Sequence, residues 1–244
     1  CEVGFRLAHD LGCDVKLMHA FFTPLSPASI PFGDYFTLQA TEKEAHGDTR
    51  DKVEKEMELF VHKLEEGIAA GEFPKVSYMT ALVEGLPEDE IIEYSKRLRP
   101  MAIVMGTRGR GAKELDLIGS VTAEVMDGSN TPIFAVPVGA KVTQLSEMKR
   151  IVFLTNFQER EFKALDIMIQ FLKPYPITLF LAHLAKKEDV WNEIKLSGFR
   201  NLLAERYPRL KTEYRLIDFS ASLEETLENF VQENAIDMIS LSSS

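Results

Sequence analysis

The sequence predicts two tandem α/β domains, each an open, mostly parallel sheet with helices on both faces. Three observations carry that prediction. Strand-like apolar runs alternate with helical periodicities along the chain, which is the pattern of parallel strands joined by helical crossovers. The alternation is broken by a polar stretch at 141–148 and then restarts. The two halves also carry similar local signatures in the same order. The expected domains are therefore 1–140 and 149–244, joined by a linker over 141–148.

Taken in order, Val3, Leu7 and Leu11 form one helical stripe, and Gly12 follows where a C-cap glycine belongs. Val15 to Phe22 reads as a buried strand. Residues 23–40, which include Pro24 and several Ser and Thr, read as a long loop of the kind that often carries function. Val53, Met57, Phe60, Val61 and Leu64 share one face of a surface helix whose other face carries Glu54, Lys55, Glu56 and Glu58. Val76 to Val83 has strand composition, with Gly85 at the turn. Pro87 suits a first helical turn, and Glu88, Asp89 and Glu90 suit the positive end of the helix dipole. Met101 to Met105 is a strand, a helix begins near Ser120, and Ile133 to Val138 closes the first half.

In the second half, Arg150–Thr155, Ile177–Leu184, Leu210–Ile217 and Ile236–Leu241 read as strands. Helices separate them, marked by Phe162 to Leu172, by Trp191 and Ile194, and by Leu223 to Val231. LMHAF around His19 parallels LAHLA around His183, LPEDEIIEY from Leu86 parallels SLEETLENF from Ser222, and AIVMGT from Ala102 parallels MISLSS from Met238. Ser242 then stands where the first half has Gly106. Cys1 falls within a helical pattern and the last strand is followed directly by Ser242–Ser244, so both domains are expected to be incomplete, the first without its first strand.

Composition narrows the function. The 45% hydrophobic and 27% charged content is that of an ordinary globular protein. A net charge of −10 argues against broad contact with nucleic acid or an anionic membrane. Two cysteines, Cys1 and Cys13, provide neither a disulfide framework nor a cysteine-rich zinc site, and they suit a reducing, cytoplasmic setting. No apolar run reaches the roughly 18 residues a membrane helix needs. His9, His46 and His62 lack a ligand-like spacing, so no metal site is expected, and His19 and His183, each in an apolar strand, read as structural. No nucleophile with a paired base is visible.

The stretch PMAIVMGTRGRGAKELDLIGS, Pro100–Ser120, concentrates the candidate chemistry. An apolar strand stops at Gly106, glycines and charges follow, and a helix opens at Gly119-Ser120. Glycines admit close backbone approach, and a helix start presents unpaired N–H groups to an anion. A Walker loop is a poor match, because Lys113 is displaced by one residue and Glu114 stands where a hydroxyl must be. A dinucleotide fingerprint is also poor: Gly109 and Gly111 are followed by Glu114, and the loop follows a late strand.

The spacing that does fit is Gly-x2-Gly-x9-Gly-Ser, over Gly106, Gly109, Gly119 and Ser120. With Met105 before it, Val121 after it and NTPIFAVPV beyond, the chain resembles the universal stress protein family, specifically its tandem two-domain members. The resemblance is strongest over 86–138 and rests on element order in the second half.

That resemblance implies a Rossmann-like, adenine-nucleotide α-hydrolase-like fold in each half. It also implies an ATP-binding stress-response protein, with the nucleotide, with or without Mg, held by the first domain. Gly106, Gly109 and Gly119 would hold phosphates through backbone groups, joined by the Ser120 hydroxyl and the Val121 amide. Met105 would border the sugar or base and Ala20 would contact adenine, while Arg108, Arg110 and Lys113 could add charge near phosphate. Asn156 stands where the family has Asp at the end of its first strand, so the second half is expected to bind no nucleotide. A homodimer, or a pseudo-dimer within the chain, is implied, as is at most slow ATP hydrolysis. The alternative is an interaction module of the same fold that dimerises without nucleotide.

Overall fold

The computed structural model describes residues 1–22, 35–107, 118–140, 145–185, 190–218 and 222–242, with backbone alone for 35–48 and for residue 145. The chain forms two compact units, Cys1–Thr143 and Gln144–Ser244. Part of the expected linker belongs to structure: Leu145–Glu147 makes a short 3-10 turn, and Met148 is buried because its side chain is apolar.

Unit 1 runs α1 (Glu2–Leu11), β1 (Val15–Phe21), α2 (Tyr35–Ala69), β2 (Tyr78–Glu84), α3 (Pro87–Leu98), β3 (Ile103–Gly106), α4 (Ser120–Gly128) and β4 (Ile133–Val136). Gly12 ends α1 at φ 65, and its backbone N–H reaches the carbonyls of Ala8 and His9. Pro87 sits in the first turn of α3, followed by its three acidic residues.

The expected loop over 23–40 is too long. Helix α2 already begins at Tyr35, since no proline or glycine interrupts the chain from Tyr35 to Ala45, whereas 23–34 lie outside the described residues.

All strand pairs in unit 1 are parallel, as expected. β1 pairs with β2 from Val15 opposite Tyr78 to Phe21 opposite Glu84, and β3 pairs with β4 from Ile103 opposite Ile133 to Gly106 opposite Val136. The single sheet expected in this half is instead two two-stranded sheets, because among the described residues no strand pairs with both β1 and β3. Helix α1 packs against both. The Phe5 ring lies 5.8 Å from that of Tyr78 on β2, and a β-carbon at Gly4 would lie 3.6 Å from Val104 Cβ on β3.

Unit 2 runs β5 (Arg150–Leu154), α5 (Glu159–Leu172), β6 (Thr178–Ala185), α6 (Val190–Arg206), β7 (Lys211–Asp218), α7 (Leu223–Glu233) and β8 (Met238–Leu241). Its four strands form one parallel sheet in the order β7-β6-β5-β8. Side chains alternate between the two faces of a strand. Val152, Phe180 and Ala182 pack with Phe230 of α7 and Ile236, while the alternate residues Ile151, Phe153, Leu179 and Leu181 are also fully buried. Both faces are therefore covered, which is why these strands read as nearly continuous apolar runs.

Candidate functional site

Three bonds fix the carboxyl end of β3, one to β4 and two to the start of α4. Beyond Gly106 the Thr107 amide donates to the Val136 carbonyl at 3.0 Å, which extends the ladder by one residue. The Gly119 amide donates to the Thr107 carbonyl at 2.6 Å, bringing together the two ends of the segment between them. The Thr122 hydroxyl donates to the Gly106 carbonyl at 2.8 Å. Thr107 and Thr122 are both buried.

Helix α4 is seated by Val125, which is fully buried, and its first internal bond runs from the Ala123 amide to the Gly119 carbonyl. Its N-cap, Gly119, is extended at φ −74 and ψ 159 and supplies no side-chain cap. The first N–H groups of an α-helix have no partner within the helix, and the dipole makes that end positive. The arrangement can therefore receive an anion beside the end of a strand, with the exposed Ser120 hydroxyl at its edge.

Met105, Gly106, Gly119, Ser120 and Val121 are thus gathered at one turn of the fold. Met105 is half-buried opposite Ala135 on β4, Gly106 is exposed, and Val121 is half-buried in the first turn of α4. Ala20 is half-buried near the carboxyl end of β1, in the other two-stranded sheet. Arg108, Gly109, Arg110 and Lys113 lie outside the described residues.

His19 departs from the expected structural role, since its side chain is exposed on β1, whose residues face alternate sides. His183 keeps such a role: its Nδ1–H donates to the Thr155 carbonyl at 2.7 Å, which fixes the tautomer. The sequence did not point to Thr107 or Thr122. The only signal was a threonine near each side of the glycine stretch, a residue type that readily bonds to nearby backbone. Among the described residues no group of three or more His, Cys, Asp or Glu is placed to hold a metal ion. Among the same residues no helix is long and apolar enough to cross a membrane.

Comparison with known proteins adds four relationships. The family model described as the universal stress protein family matches residues 1–137. A universal stress protein of Methanocaldococcus jannaschii is 36% identical over 61 residues, a match that spans 25% of this chain and 36% of that protein. Among solved structures, a universal stress protein from Archaeoglobus fulgidus aligns over 98% of this chain and 79% of its own, with a TM-score of 0.67 and 18% identity. A functionally unknown protein from Pseudomonas aeruginosa aligns over 97% of this chain and 74% of its own, with a TM-score of 0.51 and 12% identity. At these identities the structural likenesses concern the fold.

Proposed function

The chain belongs to the universal stress protein family, and from that premise we propose that it is an ATP-binding stress-response regulator whose first unit holds the nucleotide. The observation that carries this reading is the cross-tied turn in which Thr107 and Thr122 fix the uncapped start of α4 beside the end of β3. Phosphate oxygens are the anions such a helix start suits. Gly106 and Gly119, with Gly109 between them in sequence, leave room for backbone N–H groups to approach those oxygens, and the Ser120 hydroxyl and Val121 amide complete the set. Met105 borders the ribose or base, Ala20 meets adenine, and Arg108 adds charge near the phosphates. Mg accompanies ATP as the bulk counter-ion of its phosphates.

Unit 2 is a second, diverged copy that serves as a companion, and the protein acts in the cytoplasm by presenting a nucleotide-dependent surface to a partner. The same reading includes at most slow ATP hydrolysis. A homodimer fits the same reading: β4 pairs with β3 on one side, and among the described residues no strand pairs with its other side. Native mass spectrometry of the purified chain tests the reading. One ATP or AMP per chain supports it, and a chain that stays empty after incubation with ATP overturns it in favour of a nucleotide-free interaction module.

A further inference from the structure

Ligands of open α/β sheets are held outside the carboxyl ends of the strands. In unit 2 the order β7-β6-β5-β8 puts the switch point between β5 and β8, and beside it, above β5 and β6, the chain's own side chains fill the space. β5 ends at Leu154, and residues 155–158 turn into α5. Phe157 stands in this turn at φ 61, a left-handed conformation that a bulky residue adopts only when its surroundings hold it there. Its ring lies 4.5 Å from the His183 ring and 6.0 Å from the Phe199 ring, and Phe199 is stacked on Phe162 at 4.3 Å. Lys195 Nζ lies 5.9 Å from the centre of the Phe157 ring. A half-buried planar group therefore stands tilted against one aromatic ring and edge-on to another, with an exposed cation beside it.

The backbone of the same turn is committed to a second side chain. The Glu161 carboxylate is buried at 5% exposure. It accepts the Asn156 amide at 3.0 and 3.1 Å, the Gln158 amide at 3.3 Å and the Thr155 hydroxyl at 2.5 Å. The Phe157 amide is taken by Thr155 Oγ1 at 2.9 Å. Consecutive N–H groups of a strand-to-helix turn are the donors that an external anion would use. Here the Glu161 carboxylate has taken the amides of Asn156 and Gln158, and Thr155 Oγ1 the amide between them.

We infer that Phe157 and Glu161 act as a built-in ligand of unit 2, an aromatic ring and an anion that occupy the space above the carboxyl ends of β5 and β6. The corollary is a latent site: withdrawing the ring opens a slot for a planar aromatic molecule, and withdrawing the carboxylate opens a nest for a small oxyanion. The inference stands apart from nucleotide binding by unit 1, because every residue it uses lies in unit 2 and its probes are neither ATP nor AMP.

Thermal unfolding of the full chain tests it, with indole and inorganic phosphate as probes. Phe157→Gly removes the ring while glycine accepts the left-handed backbone without strain. It should melt below the parent and regain most of that loss in millimolar indole, since a ligand stabilises only the state that binds it. The parent, and Phe157→Leu, which refills the slot without a flat ring, should not respond. Glu161→Ala should gain more from phosphate than the parent or a Glu205→Ala control. If Phe157→Gly does not fold unaided, its refolding yield with and without indole is the readout. An indole response absent from Phe157→Gly, or shared equally by the parent, overturns the aromatic half. A phosphate response equal in Glu161→Ala and the control overturns the anionic half.

Discussion

The Gly119 amide donates to the Thr107 carbonyl at 2.6 Å, so the chain's own backbone ties β3 to the start of α4. Thr122 ties them again through the Gly106 carbonyl at 2.8 Å. Donors held in place in advance bind without an added ordering cost, which is the physical value of such cross-ties.

Thr122→Val keeps the side-chain shape and removes the buried donor. A buried hydrogen bond contributes about 1 kcal/mol, so the melting point should fall by a few degrees, and the share of that loss felt only with ligand bound lowers ATP affinity by up to about fivefold. Titration and thermal unfolding of the variant measure both. Unchanged affinity would show that this bond does not orient the site.

Glu161 makes the sharpest stability prediction. Glu161→Ala leaves the buried Thr155 hydroxyl and the part-buried amides of Asn156 and Gln158 without their acceptor. The cost should be about 2–4 kcal/mol, read by urea unfolding of unit 2 within the full chain. A loss below about 0.5 kcal/mol, the scale of an ordinary surface substitution, would contradict the role given to the carboxylate.

These two sites differ in how visible they were in sequence. The strand Ile103–Gly106 and the helix from Ser120 were legible because an apolar run ends in glycine and a 3.6-residue periodicity follows. The α5 start was only half legible. Gln158 and Glu161 have capping-box spacing, but nothing local says that the carboxylate also collects the amides behind it. The His183–Phe157 contact was illegible because it joins residues far apart in the chain. The split into two sheets in unit 1 was hidden for a related reason, since strand pairing is a long-range property. The early start of α2 at Tyr35 was missed because the prolines and hydroxyl residues just before it set the local composition.

Alkaline pH should weaken unit 2 through Tyr207. Burial, and then the bond its hydroxyl donates to Asp166 Oδ1 at 2.6 Å, push the phenol up to about 12. An unfolded tyrosine ionises near ~10. The unfolded chain therefore releases its proton first, so the contribution of the protonated phenol is full below about pH 10 and is lost as pH rises to about 12. Tyr207→Phe should be less stable than the parent at pH 8, and the gap should narrow across that window. Denaturant midpoints of both proteins at stepped pH provide the check. A gap that widens would reverse the sign.

Calorimetric titration of the full chain with ATP, run beside Gly119→Val, tests the nucleotide site most directly. Gly119 has φ −74 and ψ 159, a backbone conformation that valine also adopts, so the substitution strains no dihedral, and the variant's melting point separates crowding at the site from damage to the fold. The expected result is one ATP per parent chain and no measurable binding by a Gly119→Val variant that melts close to the parent. No heat from the parent, or equal affinity in the variant, would contradict the assignment of ATP to this turn.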